Sequence, residues 1–356
     1  MKQISAKQLA LSFTGVFLGA GFVSGQELWQ FFACYGPIGL VGFIGTAGLF
    51  FLVNYAALSL ARITGSEDMA RAMTPANRPR LRLLVGSMQS ILLFGVMVIM
   101  IAGASALIRQ LTGLPAAAAG ATFTLVVALV ALMGLQGLVA TFSLLVPVTT
   151  ACAVILAATV LFQNGFRFAP PTGSVSPMLP NWIVGFLTYA AYNLFGTVCT
   201  LVPMAKLLPS QKSLRSGVGG GSCILVVLAW SMIAAMAAQP SSGAGELPMA
   251  ILAGTLHPVL EVSYGLLMGL GMFSATLSSM SALTGQLEIR VPRLQQYHRP
   301  FFLTLLAFAY VGSLLGFGNL IGVVYPIFGY ASVPFLVCLV INWRRAAKAV
   351  KESPSN

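Results

Sequence analysis

Acidic residues are nearly missing from this 356-residue chain: it has 7, beside 19 lysines and arginines and 2 histidines. Charged residues make up 7% of the sequence, against about 25% in a soluble globular chain. That deficit excludes a water-soluble enzyme, a nucleic-acid-binding domain and a disordered protein. The five cysteines (34, 152, 199, 223 and 338) fall in or at the ends of apolar stretches with no pairing spacing. They read as small packing residues, not as a metal set or disulfide framework. The two histidines, 257 and 298, are far apart, and no His/Asp/Glu cluster has metal-ligand spacing. The sequence therefore carries no catalytic centre, and no resident cofactor is expected.

What the chain has in quantity is apolar sequence: hydrophobic residues make up 58%. A membrane helix needs roughly 20 mostly apolar residues. Ten such segments predict an all-α integral membrane protein with spans at 8–33, 37–61, 83–111, 116–133, 138–162, 181–207, 217–239, 257–284, 301–316 and 319–343. If the N-terminus is cytoplasmic, all but Arg109 and Arg167 of the 19 lysines and arginines fall in cytoplasmic segments. The positive-inside rule selects that orientation, and an even span count places both termini in the cytoplasm. The net charge of +12 is thus a set of topology anchors facing a lipid bilayer, with no nucleic-acid partner. The first span is not read as a cleaved leader, because Gln26 and Glu27 lie in it and no small-x-small site follows. Phe31-Phe32-Ala33-Cys34 is a poor lipidation site.

The loop at 163–180 divides the spans five and five. An odd number per half inserts the second half upside down, the arithmetic of an inverted repeat over 1–162 and 181–343 within a single membrane domain, 1–356. Sites in such proteins lie at interrupted hydrophobic segments in matching positions of the two halves. Span 1 reads Gly15-Val16-Phe17-Leu18-Gly19-Ala20-Gly21-Phe22-Val23-Ser24-Gly25-Gln26-Glu27. Glycines alone would read as close helix packing; with Ser24, Gln26 and Glu27 beside them, a break near 19–25 is expected. Freed backbone groups at membrane depth are tolerated only at a cavity or ligand, and freed N–H groups suit a carboxylate. Glu27 is an intramembrane acid, a functional residue by default, with three open roles: pairing a substrate amine, carrying a coupling proton, or closing a gate. Span 6 carries Tyr189, Tyr192, Asn193 and Gly196, with a second break expected at Asn193–Gly196. His257 and Glu261 open span 8 and are expected outside. In span 8, Ser278 and Ser279 offer hydroxyl oxygens to a Na⁺ ion opposite the carbonyls of span 1. A short apolar piece, 247–252, is expected to form an external helix.

The run from Gly19 to Glu27, followed by Phe31-Phe32 and Tyr35-Gly36, resembles the start of the YkvI-type bacterial membrane proteins. These are similar to the amino acid–polyamine–organocation superfamily with the LeuT-type fold. The resemblance implies ten core helices in two inverted five-helix repeats, with helices 1 and 6 discontinuous and the substrate between them. It implies a bacterial inner-membrane location. Substrate contacts then fall on Gly19, Ala20, Gly21, Ser24, Gly25, Tyr189, Tyr192, Asn193 and Gly196. In sodium-coupled members one ion site joins carbonyls of span 1 to a small residue and two hydroxyls of span 8, which here are Gly15, Leu18, Ala275, Ser278 and Ser279. No second sodium site matches, so Na⁺ and H⁺ (through Glu27) both remain as coupling ions. The expected function is a secondary active transporter of a small polar, amino-acid-like solute. The alternative is a transporter-like membrane receptor or sensor that binds without transport. A channel is disfavoured, because no repeated filter sequence appears. Oligomeric state is not legible.

Overall fold

The computed structural model describes residues 4–17, 20–65, 69–75, 78–133, 145–165, 168 and 176–352. Leu18, Gly19 and the start of the expected fifth span lie outside them. Among the described residues the chain is all-helical, with no strand. The first span is built from three pieces, α1 (Ala6–Phe17), α2 (Ala20–Val23) and α3 (Gln26–Phe31). Then come α4 (Ile38–Thr64), the short α5 (Met69–Ala72), α6 (Pro79–Thr112), α7 (Ala116–Leu132) and α8 (Leu145–Asn164). The remainder is α9 (Trp182–Leu201), α10 (Gln211–Ala238), α11 (Pro248–Leu256), α12 (Pro258–Arg290), α13 (His298–Ser313) and α14 (Phe317–Glu352). Five of these helices, α4, α6, α10, α12 and α14, are long and apolar enough to cross a membrane.

Local sequence explains the helix starts. Asn181 accepts from the N–H groups of Ile183 and Val184 at 3.1 and 3.0 Å and so caps α9. Ser210 caps α10 through Ser213 N–H. Proline stands at the first position of α6 and α12, where its missing N–H is not needed. His257 caps α12 and Glu261 lies in that helix's first turn. The expected piece at 247–252 is the N-terminal part of α11.

Mid-helix side chains such as Leu125, Val227, Leu266, Phe308 and Val337 are exposed. An apolar belt of this extent marks a surface solvated by lipid, where helices satisfy the backbone internally. Inside, α1 packs on α10 and α9. A Cβ at Gly217 of α10 would fall 2.6 Å from Leu9 Cδ2, so glycine lets α1 approach. The helix α9 packs on α4 and α14, α12 on α6, and α10 on α4 and α8.

One end of the bundle carries most of the basic residues. It is tied by Ile4 N–H to the Leu207 carbonyl at 2.9 Å, Arg62 to the Leu208 carbonyl at 2.7 Å, and Asn342 to the Ala72 and Thr74 carbonyls. The opposite end is closed by α11 and the 3₁₀ turn Pro240–Ala244.

The expected break in span 6 is absent. The helix α9 runs through Asn193 and Gly196 without interruption and tightens to 3₁₀ geometry only at Val202–Leu207. Asn193 frees no backbone group here: its amide donates to the Tyr189 carbonyl at 3.0 Å, one turn back, and so is satisfied within its own helix. Gly196 is not needed for close approach, because a Cβ there would meet only Leu92 Cδ2 at 3.7 Å.

Candidate functional site

The first span breaks at Gly25, whose φ of 80° is in the left-handed region. A side chain there is strained, and its Cβ would fall 2.7 Å from Met249 Cγ. Groups from elsewhere replace the lost ladder bonds. Tyr264 of α12 donates its hydroxyl to the Val23 carbonyl at 2.6 Å. Met249 N–H of α11 donates to the Ser24 carbonyl at 3.0 Å. Ser24 donates its hydroxyl to the Gly21 carbonyl at 2.9 Å and accepts from Gln26 N–H at 3.3 Å. Gly25 N–H is bonded to the Phe22 carbonyl. Of the backbone donors near Gly19–Gly25 expected to hold a carboxylate, Gly25 N–H is thus already bonded, as is Gln26 N–H just beyond them.

The break delivers Glu27 into the bundle at 6% exposure. Tyr192 of α9 donates its hydroxyl to Glu27 Oε2 at 2.5 Å, and Tyr189 lies one turn back on the same helix, edge-on to Tyr192. A Cβ at Gly21 would collide with Glu27 Oε1, so glycine makes room for the acid. Tyr325 of α14 stacks on Tyr192, with ring centroids 4.3 Å apart and planes at 19°. Tyr189 is edge-on to Tyr192, Phe31 and Phe32. One buried carboxylate thus sits among three tyrosines from two helices. The described ion pairs use Glu246, Glu288 and Glu352; none includes Glu27.

Beside it on α3, Gln26 and Gln30 are buried at 5% and 6% exposure. Gln30 Nε2 donates to the Gly318 carbonyl of α14 at 2.7 Å. The Oε1 atoms of both glutamines have no hydrogen-bond partner.

Of the expected substrate residues, Gly21, Tyr189 and Tyr192 are brought to Glu27. Ser24 and Gly25 form the turn beneath it. Ala20 opens α2, Asn193 turns back on its own helix, and Gly196 lies a turn farther along α9. The expected ion residues are more dispersed. Gly15 is exposed and nothing lies within 4 Å of a Cβ built on it. Ser278 is exposed, Ala275 half-buried and Ser279 buried. Meanwhile α12 packs on α2, whereas α1 leans on α10 and α9. Among the described residues no cluster of three or more His, Cys, Asp or Glu side chains is placed to hold a metal.

The opposite end is sealed above the site. Trp29 packs so tightly on Gly243 that a Cβ there would collide with the indole. Glu246 bonds Gly318 N–H at 3.2 Å and Arg109 at 3.1 Å, joining this cover to α14 and α6. Gln110 donates to Glu261 at 2.5 Å. A cavity of about 450 Å³ adjoins Arg109, Gln110 and Glu246. Sequence reasoning missed Tyr325, Tyr264 and Gln30. The first two are tyrosines in ordinary apolar runs, whereas Gln30, three positions after Glu27, was an available signal.

Comparison with solved structures places the bundle. The structure of MhsT in complex with L-phenylalanine matches 96% of this chain and 89% of its own, with a TM-score of 0.59 and 15% identity. The fold is LeuT-type. Relatives in Bacillus subtilis extend the likeness along the sequence. The uncharacterized membrane protein YkvI is 26% identical over 344 residues, covering 94% of this chain and 95% of its own. The uncharacterized protein YyaD is 24% identical over 331 residues, covering 92% and 94%. No family model matches the chain. The resemblance to YkvI-type proteins first met in Gly19–Glu27 therefore runs the length of this LeuT-type chain.

Proposed function

We infer that the chain is a secondary active transporter. It carries a small polar, amino-acid-like solute across the bacterial inner membrane by alternating access, coupled to Na⁺ or H⁺, with both termini cytoplasmic. The observation that carries this reading is the break at Gly25, which brings a buried acid against the tyrosines of α9 at the centre of the bundle. Unwound backbone inside a membrane is tolerated where it is buried in protein or lines a cavity, and discontinuous helices of this kind frame the sites of secondary transporters.

Two further features support it. The packing partners exchange when each half is read as the other: α1 with α10 becomes α9 with α4, α4 with α14 becomes α10 with α8, and α6 with α14 becomes α12 with α8. That pattern supports two inverted five-helix halves and ten spans. The ends of the bundle also differ, with the lid of α11 and Trp29 at one and exposed Gly15 and Ser278 at the other. A central site closed on one side suits a carrier. MhsT, similar in fold, binds L-phenylalanine.

The test is uptake of labelled amino acids by proteoliposomes, with sodium or proton gradients imposed separately. Accumulation against a gradient is expected; ligand binding without accumulation would replace the transporter with a receptor. Sodium coupling predicts that Ser279→Ala abolishes the sodium dependence of uptake. Unchanged sodium dependence would remove Ser279 from the ion site.

A further inference from the structure

We propose that the basic end of the bundle holds an anionic phospholipid by its phosphate, in a site framed by Arg82 of α6 and Arg290 at the end of α12. The partner is a lipid, so the site stands apart from the solute site and holds whether or not a solute is carried. Two contacts fix the geometry. Ser90 Oγ donates to Gln286 Oε1 at 3.2 Å, and a Cβ on Gly86 would collide with Arg290 Nη2. The helices α6 and α12 therefore run antiparallel with Arg290 laid across Gly86, where a missing side chain admits the guanidinium. Arg82 stands one turn before Gly86, on the same face of α6. Two arginines from neighbouring helices thus share one seam, and Arg293 follows in the exposed 3₁₀ turn Pro292–Tyr297.

Among the described residues no carboxylate balances these charges. The described ion pairs use Arg109, His298 and Lys348; neither Arg82 nor Arg290 takes part in one. Glu288, two positions before Arg290, is held by His298. Glu67 and Asp68 lie outside the described residues. Arg82 is half-buried, and its Nε is enclosed with no acceptor. A guanidinium in such a place calls for an anion, and its planar fork matches the oxygens of a phosphate. In the proposed orientation this end faces the cytoplasm, where basic pockets between membrane helices take anionic head groups.

The surroundings favour a lipid over a soluble phosphate. Leu83 is 66% exposed, Ile289 80% and Tyr297 63%, so the neighbours of the arginines are apolar and uncovered. Leu84 and Ile91, two turns apart on α6, are exposed as well and carry the apolar strip toward the middle of the bundle. Tyrosine is a residue of the membrane–water boundary, which sets this level of the bundle at the head groups. A soluble anion would leave these side chains bare. A lipid lays its acyl chains along them while its phosphate meets the guanidinium groups.

The experiment titrates the purified full-length protein in detergent with short-chain phosphatidylglycerol, the matching phosphatidylcholine and glycerol phosphate, and follows bound molecules by native mass spectrometry. Phosphatidylglycerol should bind, and phosphatidylcholine, whose head group is neutral overall, should bind more weakly. Arg82→Gln and Arg290→Gln should each weaken phosphatidylglycerol binding at least about 5-fold, the worth of one arginine at an anionic surface. Arg290→Lys keeps the charge but loses the fork, and should recover only part of that loss. Arg215→Gln, on the exposed start of α10, which packs on α1, α4 and α8, should leave binding unchanged. If Arg82→Gln fails to fold, the choice between the two lipids and the exposed Arg290 still decide. Equal binding of the two lipids, no binding of either, unchanged affinity in a folded Arg290→Gln, or an equal loss in Arg215→Gln would overturn the site. Glycerol phosphate displacing the lipid at equal concentration would overturn the lipid as its occupant in favour of a soluble phosphate.

Discussion

Two helices meet at Glu27, and both contain glycine beside polar residues. The first span breaks; α9 does not. The difference lies in where the backbone's hydrogen bonds go. At the first span, Tyr264, Met249 and Ser24 supply partners for the carbonyls of Val23, Ser24 and Gly21. At α9, Asn193 returns its amide to its own helix. A membrane helix opens where foreign donors stand ready, because an unsatisfied group in the apolar phase costs several kcal/mol. Glycine permits a break but does not produce one.

Substitutions sharpen that contrast. Gly25→Val should be the most damaging: it forces a β-branched residue into left-handed geometry and onto Met249. The strain and overpacking together amount to about 2–4 kcal/mol, read as a lower melting temperature in detergent. Tyr264→Phe should destabilise by about 1–3 kcal/mol, because the Val23 carbonyl loses its donor while the ring stays in place. No change in melting temperature would mean that the break does not need this donor. Gly196→Ala should act in the other direction, stabilising by up to about 1 kcal/mol, since α9 is intact there and has room for a methyl. A large loss of stability would instead show that α9 must open at Gly196.

Much of the architecture was legible because a bilayer demands long apolar helices, and apolar runs are conspicuous. The segment expected at 83–111 is α6 at Pro79–Thr112, and 116–133 is α7 at Ala116–Leu132. The break near Ser24 was legible because glycine, serine, glutamine and glutamate interrupt one apolar run. The behaviour of Asn193 was not, since the same amide can end a helix or bond within it, and only the surroundings decide. Tyr325 was hidden for a similar reason: its stacking on Tyr192 depends on the approach of α14 to α9. Nothing adjacent in sequence reports that approach. The sodium residues Gly15, Ala275, Ser278 and Ser279 came from spacing carried over from a family, and spacing does not say which faces of α1 and α12 oppose each other.

The bond from Met249 N–H to the Ser24 carbonyl has a mechanical consequence. It fastens α11, part of the cover over the site, to the residue where the first span comes apart. If α11 lifts, Ser24 loses its acceptor's partner at the same moment that Gly25 loses the wall formed by Met249. The cover and the break are thus joined directly, backbone to backbone. A force on one is felt by the other through one peptide bond's N–H, with no relay of intervening side chains.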